Sequence, residues 1–89
     1  MQRAYKVLKP DGPGCFRCLK EYPKSGSQRM DAQQQGRAEG YAHAMAEAFR
    51  TPIYVASVRM TGKTIVSIAR PDGIHPADAL PSLSGAIIR

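Results

Sequence analysis

Ile53-Tyr54-Val55-Ala56-Ser57-Val58-Arg59-Met60-Thr61-Gly62-Lys63-Thr64-Ile65-Val66-Ser67-Ile68-Ala69-Arg70 is the stretch on which the fold turns. Two runs rich in β-branched residues flank Thr61-Gly62, so residues 53–60 and 63–70 predict a β-hairpin. A two-residue loop fits, and so does a three-residue loop with Gly62 supplying a positive φ. The two loops differ by one residue in register, which leaves the cross-strand partners open. Both runs are apolar on both faces. Ile53 and Val55 point one way; Tyr54, Ala56 and Val58 point the other. A sheet with one wet face alternates apolar and polar side chains. The second face is therefore expected to be covered, either by the C-terminal segment or by a second subunit.

Upstream of the hairpin, Ala38, Tyr41, Ala42, Met45 and Phe49 recur at i, i+3 and i+4 spacing. This predicts a helix from about residue 28 to residue 50, stopping ahead of Pro52. Ser25 with Gln28, or Asp31 with Gln34, matches the spacing of a capping box. Gly36 and Gly40 interrupt the helix, and each costs about 1 kcal/mol relative to Ala. They mark either a close backbone approach or a weak first half over residues 28–36.

At the N-terminal end, residues 4–9 read as a strand with Tyr5 and Val7 on one face and Lys6 and Leu8 on the other. Pro10 to Gly14 turns the chain. Cys15 to Tyr22 reads either as a short helix or as a second strand, ended by Pro23. Past the hairpin, His75 to Leu80 fits one helical turn with Pro76 at its first position, and Leu83 to Ile88 fits a last short strand. The fold class is α+β, with one long helix packed on a three- or four-stranded mixed sheet. The order is β-(short element)-α-β-β, with an optional terminal β. Residues 1–89 make one domain, with a radius of gyration of roughly 12 Å. Residues 71–89 form a Pro-containing segment that packs on the sheet or is partly flexible.

No apolar run reaches the roughly 20 residues of a membrane span, and the N-terminus lacks a secretory pattern. A soluble, cytoplasmic protein without membrane partners is expected, as a monomer or a homodimer. The formal net charge is +6. It is concentrated early: residues 1–30 carry seven Lys/Arg against two acids. Such a balance favours polyanions, either nucleic acid or an acidic protein surface. Arg3, Lys6, Lys9, Arg17, Lys20, Lys24 and Arg29 are the early candidates; Arg59, Lys63 and Arg70 mark the hairpin. Tyr5, Phe16, Tyr22 and Tyr54 are rings able to stack on bases if exposed. No helix-turn-helix, zinc-finger, RRM or KH pattern is present.

Cys15-Phe16-Arg17-Cys18 is the one motif with chemistry of its own. At a helix start, two such thiols form a redox dithiol whose pKa is lowered by the helix and by cations such as Arg17 and Lys20. Strand, turn, Cys-x-x-Cys and a following helix resembles the order of thioredoxin-like proteins, with Thr51-Pro52 in the position of the proline facing their dithiol. The chain lacks the strand and helix which that family places between the two. Alternatively the pair binds zinc, with His43 and His75 completing a Cys2His2 set or with two subunits pooling their cysteines. Otherwise no cofactor is implied. His75 sits beside Asp72 and Asp78 and suggests a small acid–base cluster, but no nucleophile accompanies it. Gly62-Lys63-Thr64 matches only the end of a phosphate loop: residue 57 is Ser where that pattern needs Gly, and the context is a hairpin. The reading that results is a small basic non-enzymatic binding protein, with a thiol-redox or zinc-binding protein as the alternative.

Overall fold

The computed structural model describes residues 3–59, 62–76 and 87–88. Its elements run β1 (Ala4–Pro10), β2 (Cys15–Pro23), α1 (Gln28–Phe49), β3 (Ile53–Arg59), β4 (Gly62–Arg70), β5 (Gly73–Pro76) and β6 (Ile87–Ile88). One long helix packs on one sheet of order β5-β4-β3-β1-β2-β6. All neighbours are antiparallel except β6, which runs parallel to β2. The radius of gyration is 12.0 Å. The sheet has more strands than the three or four expected, for two reasons. The ambiguous Cys15–Tyr22 run is a strand, and Gly73–Pro76 turns back as an edge strand where a helical turn was expected. Residues 77–80 of that expected turn, and residues 83–86 of the expected terminal strand, lie outside the described residues.

The hairpin register is settled by Arg59 pairing with Gly62, whose φ is 142°. Met60 and Thr61, between the paired residues, are outside the described set. A bulge after Val55 pairs Ala56 with Ile65, which brings both Ser67 and Val66 to the helix side. A second bulge lets Leu8 pair with Cys18 while Val7 pairs with Lys20. This extra residue, Leu19, is why β2 does not alternate cleanly in sequence.

α1 meets the sheet through Ala38, Ala42 and Ala46, all fully buried against Tyr5, Val7, Ile53, Val55 and Ala69. The stripe of small side chains lets the helix backbone approach the strands closely. Tyr41 and Met45 flank it half-buried, while Phe49 is 49% exposed and is not core. The helix is unbroken from residue 28, so its first half is not a separate turn. Nothing lies within 4 Å of a Cβ built on Gly36 or Gly40, so close approach does not explain these glycines either. Ser27, not Ser25 or Asp31, is the N-cap, and its side chain makes no capping bond. Asp31 instead accepts the Ser25 N–H at 2.8 Å, and Gln34 donates to the Pro23 carbonyl at 3.0 Å.

The sheet face away from α1 is buried as well. Leu8, Ala56 and Val58 on that face are at most 1% exposed. Leu8, Ala56, Ile65 and Ile68 form a cluster there, against which Phe16, Cys18, Tyr54 and Ile88 pack. The expected covering of the second face is thus present within a single chain, and Ile88 of the C-terminal segment takes part in it.

Candidate functional site

β1 lies between β2 and β3 and is antiparallel to both, so the start of β1 meets the end of each neighbour. Ala4 pairs with Pro23 on one side and with Val58 on the other. Arg3, Lys24 and Arg59 follow at the ends of three adjacent strands, about 10 Å across at the usual strand spacing. The Lys24 N–H bonds to the Arg3 carbonyl at 3.1 Å and holds the two segments together. α1 begins at this same end. The result is an open cleft of about 600 Å³ lined by Arg3, Tyr5, Lys24, Arg59 and, from the first turns of the helix, Gln28, Asp31, Ala32 and Gln35.

Lys24 is the half-buried member. Its ammonium donates to the Ser57 hydroxyl and sits 4.5 Å from the centre of the Tyr5 ring. Burial lowers its pKa, and the charges of Arg59 and Arg3 lower it further, against an opposing pull from Asp31. The Tyr5 hydroxyl is pushed upward, first by burial and then by Asp31. The Asp31 carboxylate is already bonded to the Ser25 N–H and faces its hydroxyl at 3.4 Å. Among the described residues, no carboxylate lies within ion-pair distance of Arg3, Lys24 or Arg59.

From this cleft a row of lysines runs along the β1–β2 side of the helix. Lys20 lies 5.5 Å from the Tyr22 ring and 5.3 Å from the Tyr41 ring. Lys9 lies 5.3 Å from the Phe49 ring at the far end. These are cation–π distances. They hold the ammonium groups in place, each over one face of its ring. Tyr5 is buried, and Phe16 and Tyr54 pack edge-to-face at 5.5 Å on the other side of the sheet.

Of the remaining basic candidates, Arg17 is the cross-strand partner of Lys9 and faces Asp11 at 3.9 Å. Lys6, on the other face, pairs with Glu21 at 3.1 Å. By strand alternation, Lys63 points to the face away from the helix, opposite Val58. Arg29 and Arg70 are exposed.

The cysteines stand on β2, not at a helix start. Cys18 faces the Leu8 cluster, and Cys15, three residues earlier on a regular stretch of strand, faces the other way. Both are free thiols. Burial pushes the Cys18 thiol up, with Lys6 pulling the other way, so it is less ionised than an ordinary cysteine. The lowered pKa expected for a redox dithiol therefore does not arise at Cys18. His43 pairs with Glu47 at 3.2 Å on the helix. His75 pairs with Asp72 at 3.2 Å on the β4–β5 turn, four strands away from β2. Among the described residues no three His, Cys, Asp or Glu side chains gather as a metal site. Asp78, the third member of the suggested acid–base cluster, is outside the described residues.

Sequence reasoning picked out Arg3, Lys24 and Arg59 but missed the neutral wall of the cleft. Gln28 was read only as part of a capping box, and Gln35 and the neighbouring Ser57 carried no motif. The available signal was a serine at a helix-facing position in an apolar strand. Ser57 receives Lys24, and Ser67 on β4 likewise bonds Glu39 of the helix. No family model, curated protein or solved structure matched this chain. No described helix is long and apolar enough to cross a membrane.

Proposed function

We propose that this chain is a non-enzymatic binding protein whose ligand is a nucleic-acid strand, held by its phosphates. One observation carries the reading. Lys9, Lys20 and Lys24 line one flank of α1, and the row opens at one end into the cleft of Arg3 and Arg59. Each ring along the row carries a lysine ammonium over one face, which places the cations where the phosphates of a strand would run. Recognition is then largely independent of base sequence.

Fluorescence anisotropy with a labelled single-stranded oligonucleotide at two salt concentrations tests this. Affinity should fall steeply with salt, by a log–log slope of roughly −0.7 for each phosphate neutralised. Lys20→Gln with Arg59→Gln should weaken binding equally across sequences. Cys15→Ser with Cys18→Ser should leave it unchanged. No detectable binding at low salt overturns the proposal, and an acidic protein surface then becomes the ligand class to test.

A further inference from the structure

We propose that the cleft of Arg3, Lys24 and Arg59 is a specific site for a phosphomonoester dianion, the terminal phosphate of the bound strand. This deepens the phosphate-binding reading and rests on it. The three cations reach the cleft from three separate strand ends and face one carboxylate, Asp31, leaving a local formal charge of +2. That carboxylate is turned to the Ser25 backbone N–H at 2.8 Å. The cations therefore crowd one another without an ion-pair partner among the described residues, an arrangement that an incoming anion relieves. The amide of Gln28 adds a neutral donor on the helix wall, where that of Gln35 donates to Glu39 at 3.5 Å. A volume of about 600 Å³ holds a phosphate and the sugar that bears it.

The charge state of the ligand follows from the same geometry. A diester inside a strand carries one negative charge and needs an exit for the chain on both sides. A monoester carries −1.5 to −2 near neutrality, because its second pKa is about 6. The lysine row leads in on one side, the first turns of the helix wall the cleft, and its three cations converge at the strand ends where the row stops. A +2 pocket at the end of a phosphate-binding row thus favours the doubly charged end group over the singly charged link.

The experiment compares phosphorylated and hydroxyl-ended oligonucleotides of one sequence, with the full chain at fixed salt. At pH 7.5 the phosphorylated strand should bind roughly tenfold tighter, as for a charge-assisted pair of contacts. The advantage should shrink as pH falls below about 6, where the end group loses its second charge. Arg59→Gln and, separately, Lys24→Gln should weaken both strands but erase the ratio between them, the remaining binding keeping its salt dependence through Lys9 and Lys20. Lys6→Gln, on the other face and paired with Glu21, should retain it. A nucleoside monophosphate that competes on equal terms supports the dianion site and makes its source a small phosphomonoester. A strand that competes far better supports it as a strand-end site. Equal affinity for the two strands at pH 7.5 overturns the inference and leaves the row standing. Failure of both strands to bind at low salt overturns the inference together with the reading beneath it.

Discussion

Lys24, in the proposed phosphate cleft, shows how a single residue here bears on stability. Its pKa lies below the ordinary 10.5, because burial and then Arg59 disfavour its charge. Folding therefore costs free energy while the group is protonated. The sign follows from linkage. Between the lowered folded-state pKa and 10.5, the unfolded chain binds the extra proton, so stability rises with pH across that window. Below the window the cost is present in full. Measured against Lys24→Met by thermal unfolding, the wild type should gain stability as pH is raised towards 10.5. A difference that stays flat with pH would show that Lys24 is not electrostatically stressed. None of this was legible in the sequence. Lys24 stood there as one of many basic residues, and so did Arg3 and Arg59. What unites the three is strand register, a relation between residues far apart in the chain that leaves no local trace. The cysteines erred in the other direction. Their spacing is a strong local signal, but its chemistry presumes a helix start, and a strand turns the two thiols to opposite faces.

At the scale of the element, α1 and the central hairpin were legible because their periodicity is long and regular. The second strand was not, because the extra residue Leu19 breaks its alternation. The helix's packing face was read partly correctly. Ala38 and Ala42 are on it, while Phe49 is at the rim, where α1 ends in Arg50 with a left-handed φ of 55°. The two faces of α1 make opposite predictions for substitutions that add side-chain volume. Gly36 and Gly40 look onto open space, so Gly36→Ala and Gly40→Ala should each stabilise the protein by about 0.5–1 kcal/mol through lower unfolded-state entropy. Ala42 is fully buried against the strands, so Ala42→Leu should destabilise by about 1–3 kcal/mol through overpacking. Urea unfolding monitored by far-UV circular dichroism reads all three. A loss of stability in either glycine variant would mean that its helix face is covered.

At the scale of the whole molecule, the two-faced apolar hairpin was the most informative feature of the sequence. It correctly implied a buried second face, while the strand order β5-β4-β3-β1-β2-β6 could not be read, since no local motif states which strands are neighbours. The two facts together locate the molecule's most vulnerable region. Leu8 on the central β1, with Ala56, Ile65 and Ile68, forms a cluster on the side of the sheet that α1 does not reach. It is buried within one chain, so the protein should sediment as a monomer. The residues after Asp78 carry Leu80, Leu83, Ile87 and Ile88, the large aliphatics that follow Ile74, and Ile88 packs directly against this cluster. Truncation after Asp78 removes them all, along with β6. Each large apolar side chain then returned to water forgoes about 1.5–3 kcal/mol, against a total stability of roughly 5–15 kcal/mol for a small domain. Losing cover from Leu8, Ile65 and Ile68 together should therefore leave the truncated chain largely unfolded at room temperature, or drive it to bury the patch against a second copy. Thermal unfolding and sedimentation velocity on the same samples separate these two outcomes. A truncated chain that remains monomeric and melts at the temperature of the full chain would show that the C-terminal segment contributes nothing to the second face.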